Sequence, residues 1–366
     1  MSSKKNIILL TQNLKGGGAE NYISLIANHL AKLNLNIHLV LLDDALDHLL
    51  NSVSENVTIK KLGTKRARYS FFELKNYINY VKPNVILSNQ RHMNFLLVLI
   101  SIFSIRKSKI IIREAVAPTA EIQQKIFIKS YLIKLLIKIL YPYADKIISL
   151  TTDIKSDLVE NYGLSPSKIS VINNLIDYEK INKKSKVDQK SFNFDPKKEY
   201  IISVGRLVKQ KNYQLLIRAF SKINNKNVNL IIVGEGEEKD NLINLIKELN
   251  LTKNIFLLGY IANPYTLMKK SNLFVLSSIY EGMPNVVLEA AALGMPIIAT
   301  DCPTGPRDIL NNGEYGILVK NNDENELTKA IECGLDKKIK KIPYEIIKSK
   351  YGPSNIINLI NMEFIE

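Results

Sequence analysis

Cysteine is scarce in this 366-residue chain: Cys302 and Cys333 cannot build a disulfide framework. Metal-ligand clusters are missing. His29, His38, His48 and His92 are scattered, no Cys/His group has ligand spacing, no Asp-x-Asp occurs, and Asp43-Asp44 is adjacent rather than alternate. Neither a structural nor a catalytic metal is therefore expected. Long apolar runs are missing too. The longest, Phe95 to Ile105, has 11 residues and contains Ser101 and Ser104, whereas a bilayer span takes about 20. After Met1-Ser2-Ser3-Lys4-Lys5 only Ile7 to Leu10 is apolar, shorter than the core of a signal peptide. There is no low-complexity tract and no short-period repeat. What remains is 46% hydrophobic and 23% charged, which excludes wholesale disorder, in a length that suits two domains. These absences predict a reduced, cytoplasmic protein, soluble or peripheral on a membrane.

Charge is uneven. Residues 1–185 carry 26 Lys+Arg and 14 Asp+Glu, a net of +12; residues 186–366 carry 24 and 21, a net of +3. A basic half points to an anionic partner: nucleic acid, anionic lipid or a phosphorylated substrate. The alternative is a Lys- and Asn-rich composition that only solvates the surface.

Short β-branched runs alternate with helical spacing. Asn6–Leu10, Ile37–Leu42, Val57–Lys60, Asn84–Ser88, Lys109–Arg113, Lys146–Leu150 and Ile169–Ile172 read as strands, with a helix over Glu20–Leu33. Residues 173–198 break the pattern and read as an irregular linker. Strands then resume at Tyr200–Val204, Asn229–Val233, Ile255–Leu258, Leu273–Leu276 and Pro296–Thr300, with helices near Tyr213–Ile223 and Glu237–Leu249. Continuous apolar strands separated by helices predict parallel sheets covered on both faces. The expectation is an α/β chain of two doubly wound, Rossmann-like domains facing a cleft: residues 1–172, a linker at 173–198, residues 199–352, and a last helix in 353–366 that could return to the first domain.

Several motifs sit at strand ends, where such folds bind ligands. Gly16-Gly17-Gly18-Ala19-Glu20 follows the first strand and is either a turn through which amides approach an anion or a plain strand–helix turn. Gly205-Arg206 ends a strand and Lys211 follows, two cations that suit a diphosphate if they are more than surface charges. Gly234-Glu235-Gly236 is not a dinucleotide loop, because Lys239 stands in place of the third glycine and the local charge is acidic. Glu281-Gly-Met-Pro-Asn-Val-Val-Leu-Glu289 puts one carboxylate before a helix and another on its second turn, with Pro284 and Asn285 in the first turn. The pair could grip vicinal hydroxyls, or be a helix-dipole carboxylate and a surface one. Glu121 to Tyr141 is apolar with Lys125, Lys129, Lys134 and Lys138 on two faces, either a partly buried helix or one whose lysines snorkel at a bilayer surface.

Together these elements resemble the retaining, nucleotide-sugar-dependent glycosyltransferases of family 4, of the GT-B type. The resemblance runs over nearly the whole chain through the Gly16–Glu20 loop, Ser203-Val-Gly-Arg-Leu207 with Lys211 and Asn212, Val233-Gly-Glu-Gly236, Leu258-Gly-Tyr260 and Glu281-x7-Glu289. Residues 202–289 also resemble bacterial enzymes that add N-acetylgalactosamine to an undecaprenyl-diphosphate-linked oligosaccharide. The resemblance implies roles for matched positions. Arg206 and Lys211 bind the donor diphosphate, Glu281 contacts the donor sugar, and Glu289 binds the ribose. Backbone groups near Asn285 and Val286 support the phosphate; Gly205, Gly234 and Tyr260 lie near the nucleotide; Gly16, Gly17 and Gly18 approach phosphate and acceptor. Near the end of the Lys109–Arg113 strand, where related enzymes often carry a His, the chain has Arg113-Glu114-Ala115; Arg113 or Glu114 is then a candidate for a positioning role, with Glu114 as a cap on a neighbouring element the alternative. The partners implied are a nucleoside diphosphate sugar (UDP-linked), a lipid-linked saccharide and an anionic membrane surface on the inner face of the cytoplasmic membrane. No cofactor and no metal are implied. A sugar-nucleotide epimerase of the same fold type is the alternative enzyme. A nucleic-acid-binding module is the non-enzyme alternative, for which no recognised motif or clustered stacking aromatics speak.

Overall fold

The computed structural model describes residues 4–15, 17–43, 49–64, 66–104, 108–122, 127–187, 192–225, 227–336 and 338–365; Gly16, Asp44, His48 and Lys125 lie outside them. Two compact units form, Met1–Leu175 with Pro353–Glu366, and Ile176–Gly352.

In the first unit β1 (Lys5–Thr11), β2 (Leu35–Leu41), β3 (Val57–Lys61), β4 (Val85–Ser88), β5 (Lys109–Glu114), β6 (Lys146–Ser149) and β7 (Ile169–Val171) form a sheet in the order β3-β2-β1-β4-β5-β6-β7. In the second, β8 (Glu199–Val204), β9 (Val228–Val233), β10 (Ile255–Leu257), β11 (Leu273–Leu276), β12 (Ile297–Thr300) and β13 (Ile317–Val319) run β10-β9-β8-β11-β12-β13. Every pairing is parallel. Parallel neighbours need crossovers, and the intervening helices cover the sheet faces, which is why the central strands are apolar throughout. All six residues of β9 are buried, as are Ile7 to Thr11 of β1.

Each strand order reverses once, beside β1 and β4 in the first sheet and beside β8 and β11 in the second. Crossovers leave these neighbours to opposite sides, so their carboxyl ends open a crevice. Gly17 follows β1, Asn89 and Gln90 follow β4, Gly205 follows β8, and Ser277 to Glu281 follow β11. The motif residues therefore gather at these two points.

Two local expectations are corrected. Residues 173–198 are not irregular throughout: Tyr178–Ser185 is a helix. Asp177 caps it by accepting from the Lys180 amide at 2.9 Å, and Tyr178, Ile181 and Ser185 are its buried side. The lysines that make the stretch look like a linker sit mainly on its outer side. β13 is the strand the periodicity overlooks. It has three residues and begins after Gly316, whose φ of +125° and whose closeness to the Ile297 carbonyl favour glycine.

The Pro353–Ile360 helix belongs to the first unit and buries Ile356, Ile357 and Ile360 among Ile7, Leu9, Leu30, Val85 and Leu87. Ile356→Ala removes apolar volume that the sheet cannot refill. The unfolding transition of the first unit, followed in urea, should lose about 2–5 kcal/mol. An unchanged midpoint would show that this helix contributes little to that core.

Candidate active site

The exits of β8 and β9 touch backbone to backbone. The Gly205 amide donates to the Val233 carbonyl at 2.9 Å and the Leu207 amide to the Glu235 carbonyl at 2.9 Å. Gly234 has φ +148°, and a Cβ on it would overlap the Gly205 carbonyl, so glycine is required for this approach. The Gly234 amide in turn donates to the Gly259 carbonyl at 2.8 Å, which ties the turn before Tyr260 to the same place; the Tyr260 ring itself is exposed.

Lys211 ends the short turn that follows, and its Nζ donates to Glu281 Oε1 at 2.5 Å. Ser278 Oγ donates to the same oxygen at 2.6 Å. The Glu281 residue is 6% exposed. Withdrawing this carboxylate from water is tolerable because two donors meet it. Three further bonds stitch the β8 and β11 exit loops together. Ser277 Oγ donates to the Lys211 carbonyl at 2.9 Å, the Ile279 amide to the Gln210 carbonyl at 2.8 Å, and Gln210 Nε2 to the Tyr280 carbonyl at 2.9 Å. An ammonium has three donors, and one is spent on Glu281. Gly205 lies alongside: a Cβ there would stand 3.3 Å from Lys211 Cε and 3.0 Å from Tyr213 Oη. Arg206, next in the chain, is exposed. The sequence motif thus resolves into a glycine backbone flanked by one anchored and one exposed cation.

Glu289 has different neighbours. It lies on the Asn285–Ala292 helix, half-buried, as are Asn285 and Val286 in its first turn. Burial pushes its carboxyl up to about 7, against the opposing pull of a hydrogen bond with Tyr265 and the charge of Lys184. Lys184, in turn, is lowered by burial and by Lys180. Sequence reasoning missed Lys184 because it lies in the stretch taken for a linker. It missed Tyr265 because a lone tyrosine carries no spacing signal, and Ser278 because only the fold shows what it donates to.

In the first unit Gly17 and Gly18 are exposed at the start of the Gly18–Leu30 helix. The Glu20 carboxylate folds back over Gly17, where it would collide with any Cβ, and accepts from Gln90 Nε2 at 3.2 Å. Gln90 Oε1 accepts from the Gln12 amide at 3.0 Å, and Gln12 Oε1 lies 2.9 Å from His92 Nε2. A carboxylate at this turn suits a hydroxyl donor better than a phosphate.

Arg113 and Glu114 end β5 and are 1% and 2% exposed. Arg113 Nη1 donates to Asn89 Oδ1 at 2.6 Å, Nη2 donates to Asn174 Oδ1, and the guanidinium lies 3.9 Å from the centre of the Tyr22 ring. Asn89 Nδ2 donates to the Ala19 carbonyl at 2.6 Å, so Arg113 is one bond removed from the glycine turn. Glu114 accepts from Arg91 at 2.7 and 3.2 Å and from the Tyr141 hydroxyl at 2.5 Å, while Arg91 Nη1 reaches Glu121 at 2.6 Å. Both residues are built into the interior, where their side chains meet protein partners. Among the described residues, no group of three or more His, Cys, Asp or Glu side chains gathers at metal-binding distance.

Comparisons with known proteins identify the family and the fold. The family model described as Glycosyltransferase Family 4 matches residues 16–180, and the one described as Glycosyl transferases group 1 matches residues 184–348. The chain is 33% identical over 340 residues to the N-acetylgalactosamine-N,N'-diacetylbacillosaminyl-diphospho-undecaprenol 4-alpha-N-acetylgalactosaminyltransferase of Campylobacter jejuni, covering 90% of each chain. It is 32% identical over 243 residues to the UDP-Gal:alpha-D-GlcNAc-diphosphoundecaprenol alpha-1,3-galactosyltransferase of Escherichia coli, covering 63% of this chain and 61% of the other. Among solved structures, Anabaena HepE in complex with UDP-glucose superposes with a TM-score of 0.80 at 19% identity, covering 98% of both chains. The likeness to HepE shows the fold alone, two Rossmann-like domains of the GT-B type.

The raised carboxyl of Glu289 has a consequence for stability. A carboxyl that holds its proton more tightly folded than unfolded, about 7 against 4.5, favours the folded state as pH falls through 7 and loses that contribution as pH rises above it. The contribution of this group should be about 1 kcal/mol larger at pH 6 than at pH 8. Glu289→Gln should remove that part of the difference; chemical denaturation of both proteins at the two pH values would reveal an identical pH dependence if the carboxyl is not perturbed.

Proposed function

The chain belongs to the family 4 glycosyltransferases, and we propose that it moves a sugar from a UDP-linked donor to a lipid-linked saccharide in bacterial surface glycan assembly. The sugar is N-acetylgalactosamine or another hexose or N-acetylhexosamine, and its anomeric configuration is retained. Two relatives support the substrate classes: the name of the Campylobacter enzyme specifies a diphospho-undecaprenol acceptor, and that of the Escherichia enzyme a UDP-Gal donor and a diphosphoundecaprenol acceptor.

The observation that carries the reading is the Lys211–Glu281 pair beside the glycine exit of β8. In this reading Lys211 keeps one N–H on Glu281 and turns the others to the donor diphosphate, with Arg206 closing from solvent. Glu281 then faces the donor sugar, and the phosphate, the ammonium and the carboxylate form one charge-alternating row. Backbone groups at Gly205, Asn285 and Val286 support the phosphates, and the Gly234 and Tyr260 turns flank the base. Glu289, when ionised, accepts from the ribose hydroxyls. At the first unit's glycine turn, Glu20 accepts from an acceptor hydroxyl, and Arg113 holds that turn through Asn89. The bond from the anomeric carbon to the phosphate oxygen breaks through an oxocarbenium-like state. The acceptor oxygen bonds to the same face, and its proton passes to the departing phosphate. Charge stabilisation at the leaving phosphate is the main catalytic contribution this chain makes.

The membrane part of the reading stands on the Phe127–Leu140 helix. Ile128, Tyr131, Leu132, Leu135, Leu136 and Ile139 are all exposed, a spacing that lines one side, while Ile137 and Leu140 are buried. Lys129, Lys134 and Lys138 are exposed and flank the stripe. An apolar stripe edged by lysines lies well in the headgroup region of anionic lipid. Among the described residues, no helix is long and apolar enough to cross a membrane.

Nucleoside diphosphate sugars should raise Tm, because a ligand of the native state stabilises it. Turnover should give a product with the donor's anomeric configuration by NMR. Lys211→Ala should lower kcat about 100- to 1000-fold, the scale of losing one preorganised donor to a developing anion. Unimpaired turnover in that variant removes Lys211 from the mechanism.

The protein should also float with phosphatidylglycerol vesicles at low salt. Leu132→Ser with Leu136→Ser should weaken this flotation, and no flotation of the unmodified protein removes the membrane claim.

A further inference from the structure

A second loop braces the one that carries Glu281. It leaves β12 and runs from Thr300 to Pro306. Thr300 Oγ1 donates to the Ser278 carbonyl at 2.6 Å, the Glu281 amide donates to the Pro303 carbonyl at 3.3 Å, and Thr304 Oγ1 donates to the Glu281 carbonyl. The next residue, Gly305, is packed so tightly against Gly282 that a Cβ would overlap its carbonyl and stand 2.8 Å from Pro284 Cδ. Both peptide groups flanking the Glu281 α-carbon are therefore held by this one segment.

Thr304 stands out within it. It is 5% exposed, and its φ is +64°, in the left-handed region that a β-branched residue adopts only at a conformational cost. Glycine would spare that cost but has no hydroxyl to offer the Glu281 carbonyl. Strain of this kind persists where the surroundings enforce it, and here the strained residue supplies a buried bond to the backbone of a site carboxylate.

We propose that Thr304 is a positioning residue for Glu281: its hydroxyl fixes the Glu281 peptide so that the carboxylate keeps its place between Lys211 and Ser278. The proposal rests on the reading that Glu281 meets the donor sugar. It adds a reason for the brace. A donor diphosphate competes with Glu281 for the Lys211 ammonium, and a carboxylate anchored only by its side-chain partners would shift when that competition begins. Anchoring its backbone leaves the ammonium free to reorient while the carboxylate stays.

Thr304→Val keeps the shape and removes the hydroxyl, and Thr304→Ser keeps the hydroxyl with less branching. Each is measured for Tm, for donor KM and for kcat in the transfer reaction, beside Glu281→Gln. The expected pattern is a 10- to 100-fold fall in kcat for the valine, with donor KM within about threefold, and near-complete rescue by the serine. Thr304→Ala takes the place of the valine variant if that does not fold. Valine or alanine variants with wild-type kcat overturn the proposal, as does a serine variant as slow as the valine, which would assign the effect to backbone shape. Wild-type turnover in Glu281→Gln instead sinks the reading of Glu281 itself, an outcome separate from the behaviour of Thr304.

Discussion

An ammonium and a carboxylate 2.5 Å apart, both largely withdrawn from water, constrain everything near the switch point of the second sheet. Such a pair is a poor source of stability, since desolvating two charges offsets much of their attraction, but removing either partner alone leaves a buried charge. The surroundings follow from that. Ser278 donates a second bond to Glu281, and the β8 and β11 exit loops are tied together through Ser277, Gln210 and Ile279, so that neither charge can drift. Glycine at 205 leaves the backbone open beside the ammonium, and glycine at 234 lets the neighbouring strand exit close up behind it. A polar network this complete in a parallel α/β unit has its use in geometry rather than in stability.

The first unit meets a related constraint differently. Arg113 is as buried as the core isoleucines, yet its direct side-chain partners are amide oxygens and an aromatic face rather than a carboxylate. The neighbouring Glu114 spends its charge on Arg91. Splitting the charges this way lets each residue brace a different element. Arg113 leads through Asn89 to the glycine turn after β1, and Glu114 leads through Tyr141 and Arg91 to the helices that follow β4 and β5. Arg113 is therefore held inside the first unit by neutral partners.

Much of this was legible in the sequence, and the reasons are physical. Parallel strands buried on both faces must be apolar without interruption, so twelve of the strands announce themselves as β-branched runs. Glycines at the ends of β8 and β9 mark close backbone contact, and the Glu281-x7-Glu289 spacing puts one carboxylate in a loop and the other on a helix. What was not legible depended on partners distant in the chain. The Tyr178–Ser185 helix reads as linker because its buried side needs only Tyr178, Ile181 and Ser185, while its lysines dominate the composition. The meeting of Lys184 and Tyr265 with Glu289 joins three helices whose sequences share no pattern. Thr304 looks ordinary until its backbone angle and the carbonyl it serves are seen together.

The spacing of the two glutamates conceals their inequality. Glu281 meets an ammonium and a serine hydroxyl at hydrogen-bond distance. Glu289 is met by a tyrosine hydroxyl and by a lysine itself lowered by burial, and desolvation pushes its carboxyl up to about 7. A group poised there is ionised by whatever donates hydrogen bonds to it. If vicinal hydroxyls bind the ionised carboxylate, as proposed above, they bind at the expense of a proton, and their affinity should fall as pH drops below 7. The loop carboxylate thus sits against a cation and the helix carboxylate in a desolvated place, a difference that suits the proposed donor with its reacting end and its recognised end.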